Sequence, residues 1–97
     1  MAGAFERKAV TLRIIGRVQG VGFRWWTQHQ AVALGLDGWV RNRTDRSVEV
    51  LAVGPPNAVD SLIALCHEGP DMARVDDVSV AQAADPGHVG FSLEATR

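Results

Sequence analysis

Five stretches of the chain alternate apolar and polar residues, which is the period expected of strands with one buried face. In the first stretch three apolar residues share one phase, namely Val10, Leu12 and Ile14. Turn residues at 44–47 separate the second stretch from the third and indicate a hairpin. The alternation predicts strands over residues 9–18, 36–43, 47–53, 75–82 and 91–95.

Two further stretches repeat apolar residues every three or four positions, which predicts helices with one buried stripe. The first helix covers residues 23–34 and is followed by Gly35, a residue that suits a helix C terminus. Its stripe contains Phe23, Thr27, Ala31 and Leu34. Turn residues at 54–57 and 69–70 bound the second helix. The stripe of this helix contains Val59, Leu62, Ile63 and Cys66.

The predicted order is β-α-β-β-α-β with a short extra C-terminal strand, which is typical of a ferredoxin-like α/β sandwich in the α+β class. Both helices should cover one face of a mainly antiparallel sheet. The other face should be more solvated, because its phase carries Thr11, Arg13, Glu49 and Ser79. Residues 1–97 fit a single domain, in which we expect residues 1–8 to be flexible.

Composition and net charge argue against some classes of binding partner. Hydrophobic residues make up 46% of the chain and charged residues 22%, as in ordinary globular proteins. The formal net charge of −1 argues against a nucleic-acid partner, since such domains are usually strongly basic. The charge is unevenly spread: residues 1–49 carry eight basic and four acidic residues, and residues 50–97 carry two and seven. Nine of the ten cations are arginine, whose forked donor group suits phosphate and carboxylate.

The single cysteine and the lack of a long apolar run indicate the cellular compartment in which we expect the protein. Cys66 has no partner for an intramolecular disulfide and belongs to an apolar helix stripe, which favours a buried thiol in a reducing compartment. No stretch approaches the ~20 apolar residues of a membrane span, and the N terminus lacks the apolar run of a signal peptide. We therefore expect a cytoplasmic protein without a membrane partner.

The most informative segment is the glycine-rich loop at residues 16–24, with the sequence Gly-Arg-Val-Gln-Gly-Val-Gly-Phe-Arg. Glycine permits positive φ angles, so successive backbone N–H groups can converge on one anion. The predicted helix adds further N–H donors, and Arg24 in its first turn can form two parallel bonds to a phosphate. A tight connection followed by a solvated arginine would give the same pattern, so spacing alone leaves both explanations open.

Asn42 stands near the end of the second predicted strand. A neutral amide can donate to one oxygen and accept from a water, which suits the orientation of a nucleophile. An asparagine at a strand end also commonly begins a turn. The histidines lie on separate predicted segments at positions 29, 67 and 88, and the Asp76-Asp77 pair fits a solvated strand start, so we expect no metal site.

Together these segments resemble the acylphosphatase family. The resemblance is carried by the loop at 16–24, by Gly-Leu-Asp-Gly-Trp-Val-Arg-Asn at 35–42, by Val48-Glu49 and by Gly69-Pro70 with Ala73 and Val75. It extends from the first strand to Phe91. The resemblance implies the ferredoxin-like fold and an enzyme that hydrolyses the carboxyl–phosphate bond of acyl phosphates to a carboxylate and inorganic phosphate.

The resemblance also implies a role for each site residue. Arg24 would bind the phosphate, and Asn42 would position water for in-line attack. Backbone N–H groups of the loop would bind the phosphate together with Arg24, and they belong to Val18, Gln19, Gly20, Val21, Gly22 and Phe23. No metal, cofactor or covalent enzyme intermediate is implied. We expect a monomer that acts on a small acyl phosphate, with inorganic phosphate as product and inhibitor.

The chain departs from the family pattern at the hairpin, where Arg46 follows Asp45 in place of the usual glycine. A positive φ at Arg46 would cost on the order of 1 kcal/mol, which another loop type would avoid.

Two other kinds of function stay open from the residues. One is a binding module for a small anion or for RNA, although RNA recognition needs exposed aromatic residues that the first and third strands lack. The other is the unit of a larger maturation enzyme that handles carbamoyl phosphate.

Overall fold

The computed structural model describes residues 6–97 and contains seven elements in the predicted order. They are β1 (Lys8–Arg17), α1 (Phe23–Ala33), β2 (Asp37–Asn42), β3 (Val48–Gly54), α2 (Pro56–Glu68), β4 (Arg74–Gln82) and β5 (Phe91–Leu93). The predicted strand limits agree with the observed ones to within two residues. Of the segment expected to be flexible, residues 1–5 lie outside the described part of the chain, and Lys8 is the first residue of β1.

The five strands form one sheet in the order β4-β1-β3-β2-β5. β1 runs antiparallel to both β3 and β4, and β2 runs antiparallel to β3. Only the short β5 pairs in parallel, with β2. The predicted α+β, ferredoxin-like sandwich with an extra C-terminal strand is therefore confirmed.

Both helices pack against one face of the sheet. α1 lies over β2 and β5, and α2 lies over β4 and β1. Three members of each predicted stripe are buried, Phe23, Thr27 and Ala31 in α1 and Val59, Leu62 and Cys66 in α2, whereas Leu34 and Ile63 are only partly buried. These side chains meet the apolar phase of β1 and β3 in one core, where Ile14, Val48 and Val50 are fully buried. Neither helix is long and apolar enough to cross a bilayer.

The opposite face of the sheet is solvated over only part of its area. Arg13 and Ser79 are exposed there, as expected. Leu51 and Val53, on the same face of β3, are only 5% and 1% exposed. They form a second apolar cluster with Ala9, Trp39 and Ala83. The prediction of a solvated face thus holds at one end of the sheet and is wrong at the other.

Strand direction brings three chain segments to the same edge of the sheet. Because β1 and β2 both run antiparallel to β3, they are parallel to each other, and Val48 pairs with Ile14 on one side and Asn42 on the other. β5 runs parallel to β2, so its end also points to this edge. The glycine-rich loop after β1, the end of β2 and the end of β5 therefore come together.

The β2–β3 hairpin has a three-residue loop, Thr44 to Arg46. The backbone N–H of Arg46 donates to the Arg43 carbonyl at 3.1 Å, and that of Arg43 donates to the Ser47 carbonyl at 2.8 Å. Arg46 has a φ of 76°, so it adopts the left-handed conformation that usually takes glycine in this loop type. The positive φ considered for Arg46 is therefore observed.

Replacement of Arg46 by glycine should raise the free energy of unfolding by about 1 kcal/mol, because glycine adopts this φ without a Cβ clash. Arg46→Ala is the matched control, since it removes the same guanidinium but keeps the strained backbone. Urea denaturation of both variants and the parent measures the effect. Equal stability of the glycine and alanine variants would show that the strain at Arg46 is negligible.

Candidate active site

A cleft of about 250 Å³ lies at the sheet edge where β1, β2 and β5 end. It is lined by Val18, Gln19, Gly20, Gly22, Phe23, Arg24, Trp25, Asn42 and Leu93. The structure thus brings Arg24 and Asn42 together with five of the six predicted loop residues. The sixth, Val21, packs against the core, so any contribution of Val21 to the cleft is limited to its backbone.

Two glycines shape the loop that forms one wall of the cleft. Gly20 and Gly22 have φ angles of 73° and 77°, a region that residues with a Cβ enter only with strain. Gly22 is also the N-cap of α1, so the helix begins directly at the cleft. The loop and the first turn of α1 are therefore one continuous wall of backbone.

The N terminus of α1 has donors to offer an anion. No side chain among residues 6–97 caps it, and its first turn carries no acidic residue. The first N–H groups of a helix have no partner within the helix, and the helix dipole adds partial positive charge at this end. An anion in the cleft would accept hydrogen bonds from these groups.

Arg24 adds a full positive charge in the first turn of α1. Within residues 6–97 its guanidinium makes one hydrogen bond, a long one of 3.4 Å from Nη1 to the backbone oxygen of Glu94. Within the described chain no carboxylate lies in ion-pair range of Arg24. Its guanidinium is therefore free to bind an anion in two parallel bonds.

Asn42 is the last residue of β2, which pairs with β3 on the side opposite β1. Asn42 therefore reaches the cleft from the other side of β3. Its backbone is fixed by pairing with Val48 and by a hydrogen bond from the Arg97 N–H to its carbonyl at 3.1 Å. Across residues 6–97 its side-chain amide has no hydrogen-bond partner. The amide is thus available to a ligand or a water molecule in the cleft.

The side chain of Gln19 ties the loop to the hairpin. Its Nε2 donates to the backbone oxygens of Arg43 and Ser47, at 2.9 Å each. These two carbonyls close the hairpin that begins directly after Asn42. One side chain therefore fixes the distance between the glycine loop and the strand end that carries Asn42. Sequence reasoning assigned Gln19 only a backbone role.

Other arginines near the motifs differ in their partners. Arg41 and Arg43 both bond to Glu49, at 2.7 Å and 3.4 Å, so two guanidinium groups share one carboxylate. Arg17 and Arg46 line a neighbouring recess that shares Val18 and Gln19 with the cleft. Neither of these two makes an ion pair within residues 6–97. The end of the molecule around the glycine loop is therefore locally cationic, although the whole chain is close to neutral.

A larger recess of about 460 Å³ lies at the other end of β1 and includes Arg7, Lys8 and Asp85. Its cations are already paired: Arg7 bonds to Asp37 at 2.8 Å and Asp85 at 3.2 Å. Lys8 bonds to Asp60 at 2.8 Å. The Arg7 guanidinium holds the pKa of Asp37 below its ordinary value, which is the sign of a satisfied pair. This recess lacks the unpaired donors of the cleft.

The remaining candidate groups do not line the cleft. Cys66 is fully buried in α2, and burial raises the pKa of its thiol to about 12, which fits the predicted structural role. His29 and His67 lie on different helices, and His88 precedes β5. Within residues 6–97, no three His, Cys, Asp or Glu side chains are grouped so that they could hold a metal ion.

Sequence reasoning missed two side chains of the cleft, Trp25 and Leu93. Trp25 lies outside the buried stripe of α1 and next to Arg24, and this combination is a sequence signal for an exposed aromatic at the site. Leu93 was predicted to be in a strand, but its position depends on the parallel pairing of β5 with β2. No local pattern reports that pairing.

Comparison with known proteins identifies the family of the chain. A family model described as acylphosphatase matches residues 10–93. The acylphosphatase of Rhodospirillum rubrum is 51% identical over 85 residues, which cover 88% of this chain and 93% of the relative.

Two solved structures are similar over nearly the whole chain. The crystal structure of acylphosphatase from Bacillus subtilis has a TM-score of 0.87 at 40% identity and covers 92% of this chain and 99% of its own. An acylphosphatase from Coxiella burnetii has a TM-score of 0.88 at 30% identity and covers 91% and 93%. The chain therefore belongs to the acylphosphatase family, enzymes that hydrolyse acyl phosphates to a carboxylate and inorganic phosphate.

Proposed function

We propose that the cleft formed by the glycine loop, Arg24 and Asn42 is the active site of this acylphosphatase. The observation that carries the proposal is the meeting of Arg24 and Asn42 in one cleft at the uncapped start of α1. One group is an unbalanced cation and the other an unpartnered amide among the described residues. Hydrolysis of an acyl phosphate needs both an anion-binding group and a group that orients water.

In this mechanism the phosphoryl group binds to the loop. Backbone N–H groups of residues 18–23 and the start of α1 donate to its oxygens, and the Arg24 guanidinium forms two further bonds. The backbone donors are fixed before the substrate arrives, because the glycine loop runs directly into α1 and the Trp26 N–H donates to the Gly22 carbonyl at 2.9 Å. These groups and Arg24 balance negative charge on the equatorial oxygens in the transition state.

Asn42 holds the attacking water in line with the bond to be broken. A new bond forms between the water oxygen and phosphorus, and the bond from phosphorus to the acyl oxygen breaks. The carboxylate leaves with the electron pair of that bond and is a good leaving group, so no acid is needed to protonate it.

The proton of the attacking water goes to an oxygen of the substrate's own phosphate. Support for this step is the lining of the cleft, in which no Asp, Glu or His occurs among residues 6–97. Positioning and charge stabilisation then supply the catalysis, without a metal ion or a general base from the protein.

The proposal also covers product inhibition, the oligomeric state and the cellular compartment. Inorganic phosphate, the product, inhibits the enzyme because it fits the same donors. The enzyme acts as a monomer, since the cleft is built from elements of one chain. It works in a reducing, cytoplasmic compartment, where its single buried cysteine stays a thiol.

Arg24→Ala and Asn42→Ala should each lower kcat by about 10²–10³, the scale for the loss of one preorganised donor in a transition state. The two variants should differ in product binding. Arg24→Ala should weaken inhibition by inorganic phosphate about tenfold or more, whereas Asn42→Ala should leave it nearly unchanged. Steady-state kinetics with benzoyl phosphate, with and without inorganic phosphate, measures both effects.

The matched control for these variants is Arg46→Gly, which removes a neighbouring guanidinium that does not line the cleft. Its turnover should stay within about twofold of the parent. Parental phosphate inhibition in Arg24→Ala would remove Arg24 from the phosphate site. A large loss of turnover in Arg46→Gly would give Arg46 a role in substrate binding or catalysis that the proposal does not contain.

Treatment with a strong chelator followed by gel filtration should leave kcat and KM unchanged, because the proposed mechanism uses only protein groups. The assay compares treated enzyme, untreated enzyme and treated enzyme with added divalent cations. Loss of activity on chelation, with recovery on addition of one cation, would contradict the metal-free mechanism.

Gln19→Met should lower kcat about tenfold or more, since it removes both bonds to the hairpin and loosens Asn42 relative to the bound phosphate. Inhibition by inorganic phosphate should change less than twofold, because the loop backbone and Arg24 stay on their own elements. This separation of kcat from phosphate binding distinguishes a positioning role from general loss of structure. A parental kcat in Gln19→Met would show that the bridge is not required.

A further inference from the structure

The mouth of the cleft carries two large hydrophobic side chains that are open to solvent. Trp25 is 60% exposed and Leu93 is 45% exposed, and both line the cleft. The other apolar residues of the lining, Val18 and Phe23, are almost fully buried and belong to the core. Exposed apolar side chains at the edge of a polar site commonly mark the place where a ligand binds.

Trp25 is held in place despite its exposure. Its ring packs against the ring of His29, one helical turn further along α1, with a centroid distance of 4.0 Å and an interplanar angle of 39°. Such a contact limits the rotamers of the indole. Trp25 therefore presents a positioned aromatic surface beside Arg24.

Leu93 is positioned by the connection between α1 and β5. The side chain of Gln28 donates from Nε2 to the backbone oxygen of Phe91 at 3.0 Å, which joins the helix to the strand. The parallel pairing of β5 with β2 places Leu93 opposite Val40, two residues before Asn42. The apolar edge of the cleft is thus built from two elements that are fixed to each other.

The chemistry of the substrate indicates which part of it contacts the apolar edge of the cleft. In the proposed site the backbone donors and Arg24 hold the phosphoryl group, and Asn42 holds the water. The acyl group is the remaining part of the substrate and must contact the rest of the lining. In that rest, the exposed side chains are apolar, since Gln19 is only partly exposed and its amide bonds to the hairpin.

We infer that Trp25 and Leu93 form a subsite for the acyl group, which favours aromatic and bulky apolar acyl phosphates over acetyl phosphate. The inference rests on the proposed function, because Arg24 and Asn42 define where the phosphoryl group and the water lie. An aromatic acyl group stacks on the indole and covers Leu93, whereas an acetyl group is too small to contact both.

Values of kcat/KM for benzoyl phosphate and for acetyl phosphate test the subsite, measured on the full chain and its variants. Trp25→Ala should lower the value for benzoyl phosphate about three- to tenfold and that for acetyl phosphate less than about twofold. Trp25→Phe should retain most of the preference, because it keeps an aromatic face. Leu93→Ala should shift the ratio of the two values in the same direction as Trp25→Ala, by a smaller factor.

Val32→Ala is the matched control, since Val32 is an exposed hydrophobic residue of α1 that does not line the cleft. Its ratio of the two kcat/KM values should equal that of the parent. Inhibition by inorganic phosphate should be unchanged in Trp25→Ala and Leu93→Ala, because phosphate has no acyl group. A parental ratio in both of these variants would overturn the subsite.

Arg24→Ala, assayed in parallel, separates the two proposals. If Arg24→Ala loses activity on both substrates while Trp25→Ala and Leu93→Ala keep the parental ratio, the acyl subsite is wrong and the active site stands. If Arg24→Ala keeps parental activity on both substrates, the cleft is not the active site and the subsite is wrong with it.

Discussion

The pairing of β3 with both β1 and β2 is the constraint on which the rest of the structure depends. Antiparallel pairing on each side of one strand makes its two neighbours parallel to each other, so their carboxyl ends meet at one edge of the sheet. The glycine loop follows one of these ends, and Asn42 is the other. The proposed phosphate site and the proposed water site, from distant parts of the chain, are thereby brought into one cleft.

The same constraint explains why single side-chain hydrogen bonds can affect the catalytic rate. The cleft walls belong to three separate segments, namely the loop with α1, the hairpin and β5. Gln19 bonds the loop to the hairpin, and Gln28 bonds α1 to β5. Each contact fixes one wall relative to another, and a shift of about 1 Å between reacting groups can cost ~10²-fold in rate.

The charge distribution gives the near-neutral protein a local preference for anions. Most arginines and the one lysine have a carboxylate partner, as Arg41 and Arg43 do with Glu49. Among the described residues Arg17, Arg24, Arg46 and Arg97 have none, and the first three lie around the glycine loop. The net charge of −1 argues against a polyanion as partner, but it does not show this local excess.

Local patterns in the sequence were sufficient for the elements, because alternation and helical stripes report which face of each segment is buried. They also placed Arg24 in the first turn of the helix that follows the glycine loop. The places of Trp25, Leu93 and the Gln19 side chain at the cleft were missed because they depend on contacts between distant segments. The buried cluster of Leu51 and Val53 on the outer face was missed for the same reason, since Ala9, Trp39 and Ala83 come from three other parts of the chain.

The central claim is that the glycine loop and the start of α1 bind the phosphoryl group. Titration of the ¹⁵N-labelled protein with inorganic phosphate, followed by the chemical shifts of its backbone N–H groups, tests the claim most directly. The account predicts saturable shifts that are largest at residues 19–24 and a weaker affinity in Arg24→Ala. Saturable shifts centred on Arg7 and Lys8, or no saturable shift in the loop, would contradict it.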